Sequence, residues 1–189
     1  MKRKLVVASV LVFGVCATGA FAGSASQVAF STLPNHGIRP RAIPQHLWRL
    51  ARELTLPDNH FVWLVPTPNG NFCEGFSYGF GGCRGRTFPP SFSATQRAAF
   101  RIEANGVGRN STIVAIGGDL LAAPGSSVTV VYADGSHQRI PVTFVSAPIS
   151  AGFYALTLSR LHQKAGHTPI RVDAADPTGK LIGSVKFTR

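Results

Sequence analysis

The sequence predicts a mostly β protein: an antiparallel β-sandwich preceded by one short N-terminal amphipathic helix. Three observations carry that expectation. Short runs rich in Val, Ile, Thr and Phe alternate apolar with polar residues, the pattern of half-buried strands. Asn-Gly and Asp-Gly pairs stand between those runs, as in tight hairpins. Only 14% of the chain is charged, while it holds 20 glycines and 13 prolines, a balance that suits sheets and turns better than helices. An immunoglobulin-like arrangement is one form of such a sandwich, and a small barrel is the alternative.

The elements follow in chain order. Met1-Lys2-Arg3-Lys4 is a basic start, an apolar run follows, and Ala20-Phe21-Ala22 supplies small residues before Gly23. This is the layout of a secretory signal peptide over residues 1–22, with cleavage expected after Ala22 and a secreted or envelope-associated product. Residues 23–42 show no sustained period and read as a flexible lead-in. Residues 43–189 read as a single β-rich domain that opens with a helix over residues 44–55. Pro44 suits a first helical turn, and Leu47, Leu50, Ala51 and Leu54 fall on one apolar face before Pro57 ends it.

Strands are expected over residues 60–65 and from Asn71 onward, joined by the turn PTPNG. Residues 84–97 read as a long loop. Residues 98–104 and 111–116 are further strands, with Asn105-Gly106 as the turn between them. SVTVVYA (residues 127–133) turns at Asp134-Gly135, and residues 137–145 return, with Pro141 marking an edge or a bulge. Residues 152–158 and 169–174 are strands, Asp176-Pro177-Thr178-Gly179 is a type I turn, and residues 180–187 close the domain. The total is about nine strands at hairpin spacing.

The stretch CEGFSYGFGGC (residues 73–83) carries the clearest chemistry. Removal of the signal takes Cys16 away and leaves Cys73 and Cys83. An even pair in an exported chain predicts a disulfide. Ten extended steps would hold the two Cα atoms about 33 Å apart, and a disulfide needs about 4.4–6.8 Å. The chain must therefore reverse between them, which Gly75, Gly79, Gly81 and Gly82 make easy. Pairing also removes the thiolate that nucleophilic catalysis by Cys83 requires. Phe72, Phe76, Tyr78 and Phe80 share one parity. Buried, they are core. Exposed, Phe76, Tyr78 and Phe80 with Arg84 and Arg86 would form a stacking platform with cationic contacts, the candidate binding site.

Other chemistries find little footing. No G-x-S-x-G elbow, no H-E-x-x-H pair and no free cysteine ligand is present, so the sequence gives no reason to expect a catalytic serine, a metal or a cofactor. Asp173, Asp176 and Gly179 fall short of a calcium loop. Charge points elsewhere. The chain has 19 Lys and Arg, and the signal takes three, leaving sixteen against eight acids and a net charge near +8. These cations are scattered rather than clustered, as solubilising charge is. As binding chemistry they favour anionic envelope polymer, with no specific nucleic-acid partner and with membrane contact through the signal.

The runs VWLVPTPNGNFCEGF and GGC, then VTVVYADGS, IPV, GFYALTL and VDAADPTGKLIGSV, resemble a group of exported proteins of actinobacteria-like, Gram-positive bacteria. The likeness spans roughly residues 60–187. It implies export and a β-sandwich, and it carries over no catalytic residue. The expected function is a non-catalytic binding or structural module that contacts anionic surface polymer. The alternative is an exported enzyme using Cys83 or a scattered acid/His site.

Overall fold

Alternation in sequence becomes strands in space. The computed structural model describes residues 26–35, 43–67, 71–79, 81–83, 100–107 and 112–187. The signal and its cleavage site lie outside them, as does the expected loop over residues 84–97. Among the described residues thirteen strands form three sheets. The first holds β2 (Arg52–Leu56), β3 (His60–Pro66), β4 (Phe72–Phe76) and β5 (Gly81–Cys83), in that order and antiparallel. The second, five-stranded, runs β1 (Ser26–Val28), β10 (Thr143–Val145), β11 (Ala151–Thr157), β7 (Thr112–Leu120), β6 (Phe100–Val107). Only β1 runs parallel to its neighbour. The third runs β13 (Leu181–Lys186), β12 (Pro169–Ala175), β8 (Ser127–Tyr132), β9 (His137–Ile140).

Two apolar layers hold these sheets in a stack, with the five-stranded sheet in the middle. Tyr154 and Leu156 of β11 and Ile116 and Leu120 of β7 pack against Val128, Val130, Val172 and Ala174 of the third sheet. The opposite face of β11 presents Ala151, Phe153 and Ala155 to Leu54, Val62, Leu64, Phe72 and Phe76 of the first sheet. Consecutive residues of β11 thus point into different cores, and residues 151–156 are all buried. A strand covered on both faces loses the alternation that marks a half-buried one. A third, smaller cluster lies on the outer face of the first sheet. It joins Ile43, Ala51, Val65 and Cys73 with Trp48 and Trp63.

Three expectations are corrected. The helix over residues 44–55 is a short 3-10 helix, Gln45–Leu50, after which the chain extends into β2. Leu54 and Leu56 alternate inward and are 2% exposed, whereas Leu50 is 45% exposed. The helical face is therefore divided: Ala51 enters the outer cluster and Leu54 the inter-sheet core. Ladder bonds from Arg52–Leu64 to Leu56–His60 outweigh a helical period of barely two turns. Asn105-Gly106 is not a turn but a shift of register inside β6. Residues 137–145 are not one strand, because β9 and β10 belong to different sheets and Pro141 lies where the chain crosses between them. Proline cannot donate to a ladder, so it suits that crossing.

Candidate binding face

The outer face of the third sheet collects cations in register. Paired residues of adjacent strands share a face, so the ladder defines rows across it. Lys186 pairs with Arg171, Arg171 with Val131, and Val131 with His137. The next row is Ser184, Asp173, Thr129 and Arg139. Val128, Val130 and Val172, of the other parity, are buried in the core. At about 4.8 Å per strand, each row spans roughly 14 Å. Lys186, His137 and Arg139 are exposed. Asp173 is the one carboxylate in these rows, and its charge is turned inward on its neighbours. It accepts from Arg171 Nε at 2.9 Å and from the Ser184 hydroxyl at 2.7 Å. What faces solvent is a hydroxylated and cationic surface.

Turns at either end are fixed by carboxylates. Asp134 accepts from the Ser136 hydroxyl at 2.6 Å and pairs with His167 Nδ1 at 2.7 Å. The Ser136 hydroxyl, more than the histidine, holds this carboxyl well below its ordinary range. Asp176 accepts from the Thr178 hydroxyl at 2.6 Å, which lowers its pKa in the same way. Asp176 N also bonds Lys180 O at 2.9 Å, closing the hairpin between β12 and β13.

The sequence-predicted site residues separate. Cys73 and Cys83 stand directly opposite each other on β4 and β5 and form the disulfide. Phe76 is 2% exposed and packs in the inter-sheet core with Phe72, so it offers no ring to an outside ligand; this corrects the platform expectation at that residue. Tyr78 is half-buried against the same core. Phe80, Arg84 and Arg86 lie outside the described residues.

Two polar clusters escaped the sequence reading. Glu74 shares its parity with Phe72 and Phe76 and therefore points inward, where it meets Arg101 of β6. Arg101 Nε donates to Asp119 of β7 at 2.8 Å, and both carboxylates are fully buried. A charge at an inward position between two phenylalanines was the available signal. The second cluster joins the first two sheets at one end. His60 Nε2 lies 3.0 Å from the Thr157 hydroxyl, and its ring meets Tyr78 at 4.4 Å between centroids, tilted by 51°. Burial lowers the His60 pKa, with Asp58 opposing. Burial also raises Tyr78 to about 12, against a hydrogen bond with Thr157. Asp58 and Asn59, leading into β3, both take positive φ, 62° and 57°. Asn and Asp are the non-glycine residues that best tolerate it.

Among the described residues no three His, Cys, Asp or Glu side chains converge as a metal site would need. Comparison with known proteins finds no matching family model, no matching curated protein and no matching solved structure.

Proposed function

We propose that the chain is exported and acts as a non-catalytic binding module that holds an anionic envelope polymer on the outer face of the β13-β12-β8-β9 sheet. The observation that carries this reading is the register of Lys186, Arg171, His137 and Arg139 on one face, where the carboxylate in the paired rows, Asp173, is already engaged by Arg171 and Ser184. Cations in register across four strands suit an extended polyanion, which a deep pocket would not accommodate. The hydroxyl of Thr129 adds a neutral partner beside the charges. Disulfide pairing of Cys83 supports the non-catalytic side of the reading, since a bonded sulfur cannot attack. The signal-like start and the net basic charge support export and polyanion contact.

The test is retention of the exported protein on an immobilised polyanion across a salt gradient. Retention that falls with salt, and falls further in Arg139→Glu combined with Lys186→Glu, is the expected result. Arg49→Glu, exposed on a different sheet's flank, is compared with Arg139→Glu alone, which changes the net charge by the same amount. Equal loss in these two single variants would remove this face from the reading.

A second reading, an exported enzyme built on an acid/His site, draws on one contact. The Thr157 hydroxyl within hydrogen-bond reach of a neutral His60 is the arrangement of a base-activated nucleophile. It predicts ester hydrolysis that Thr157→Ala and His60→Gln each abolish while the fold survives. Hydrolysis unchanged in both variants rejects it.

A further inference from the structure

We propose that one end of the outer sheet docks the protein on an anionic lipid bilayer, with Leu161 and Ile170 entering the headgroup layer. The loop between β11 and β12 is fastened beside the β8–β9 hairpin: Ala133 N donates to Thr168 O at 2.9 Å, and His167 pairs with Asp134. His162 stacks flat on Tyr132, with ring centroids 3.6 Å apart. Gln163 Nε2 donates to Leu158 O at 2.8 Å, and Lys164 N to Leu161 O at 3.0 Å. Leu161, beside the anchored His162, is therefore presented by a held backbone, and it is 50% exposed. Ile170 leaves the fold at the same end. Its neighbour Pro169 lies opposite Tyr132, its carbonyl accepts from Phe187 N at 3.0 Å, and it is 40% exposed.

Cations surround these two aliphatic side chains. Arg160 and Lys164 flank Leu161 in the loop, and Lys186 reaches the same end on β13. All three are exposed, and none is ion-paired among the described residues. The nearby carboxylate, Asp134, is occupied by Ser136 and His167. The opposite end of the sheet differs: there Asp176 faces Lys180, so the exposed Leu181 sits in balanced charge. Cations around exposed aliphatic residues fit a surface that is anionic outside and apolar beneath. A hydrated polymer supplies the first but gives Leu161 nothing to enter. Among the described residues no helix is long and apolar enough to cross a membrane.

The test is co-sedimentation of the exported protein with vesicles of phosphatidylcholine alone and of phosphatidylcholine mixed with phosphatidylglycerol. Binding to the anionic vesicles only is expected. Arg160→Glu and Lys164→Glu each weaken it about fivefold or more, the effect of one surface cation. Leu161→Asp abolishes it, and Leu181→Asp at the far end leaves it intact. Thermal melts of the variants matching the parent confirm that folding is unaffected. Equal binding to both vesicles, no binding, or equal loss in Leu161→Asp and Leu181→Asp overturns the proposal. Polyanion retention is read on the same proteins. Leu161→Asp leaves it unchanged, so failure on vesicles with retention intact removes the lipid contact alone.

Discussion

Gly118 shows how much a single position can carry. It sits on β7 opposite Ile102 of β6 and Tyr154 of β11. The Tyr154 hydroxyl crosses over it to donate to Arg101 O at 2.7 Å. A Cβ at this position would overlap the Arg101 carbonyl oxygen and lie 2.6 Å from the Tyr154 hydroxyl. The obstruction is backbone, which cannot swing aside. Gly118→Ala is expected to destabilise by about 2 kcal/mol or more, through overpacking and loss of that bond. Tyr154→Phe, which loses the bond without the overlap, is expected to cost about 1 kcal/mol. Urea titration of both variants checks the order. An alanine variant as stable as the parent would show that the sheet relaxes there. His60 makes the residue-scale pH prediction. Its folded pKa is lowered by burial, so the unfolded chain binds the proton more readily. The contribution is complete above the ordinary imidazole value of about 6.5 and is lost as pH falls below it. Parent and His60→Gln denaturation midpoints should therefore respond differently to acid, with the parent losing more between about pH 7.5 and 5. Parallel curves would show that His60 is not the responsible group.

At the scale of elements, the β4–β5 hairpin couples a covalent clasp to a buried charge cluster. Its outer side carries the disulfide under Trp48 and Trp63, and its inner side carries Glu74 against Arg101. Gly82 opposes Glu74, and a Cβ there would lie 3.5 Å from the Arg101 guanidinium. Reduction is expected to cost about 3 kcal/mol, the value for so short a loop. Arg101→Ala is expected to cost more, about 3–5 kcal/mol, because it strands two buried carboxylates. Denaturant midpoints with and without reductant, in parent and variant, rank the two. A variant less affected than the reduced parent would mean that Glu74 and Asp119 take up protons at little cost. Sequence legibility divides at this scale. Asp134-Gly135 and Asp176–Gly179 were readable because turn chemistry is local: Gly135 takes φ 83° and Gly179 φ 88°. Glu74–Arg101–Asp119 was not, since its members come from β4, β6 and β7 and meet only when two sheets stack. β2 was misread because LTL after ARE fits a helical face as well as a strand, and only pairing with β3 decides.

At the scale of the whole molecule, a β-sandwich was legible from strand spacing, whereas the layering was not. A sandwich needs each sheet to hide one face. Here the middle sheet hides two, and the clues were runs such as AIGGDL in β7 and AGFYAL in β11, in which six consecutive residues are buried. Such a run reads equally well as a buried helix segment or as a core strand. The basic outer face was equally hidden, because Lys186, Arg171, His137 and Arg139 are scattered in the chain and align only through the ladder. Layering makes its own prediction. β7 and β11 are interior strands of the middle sheet, bonded to neighbours on both edges and covered on both faces. Their amides should open only with global unfolding. β8 and β12 are interior strands too, but one of their faces meets water, so smaller openings can release them. β9 and β13 are edges of the outer sheet and should exchange first. Native-state hydrogen exchange is thus expected to rank β7 and β11 slowest, β8 and β12 next, and β9 and β13 fastest. If β8 and β12 outlast β7 and β11, the outer sheet and its core form the stable unit and the middle sheet is not the keystone of the stack. The expected ranking would leave the cationic face on the more yielding outer sheet, with the double-covered middle sheet as its rigid support.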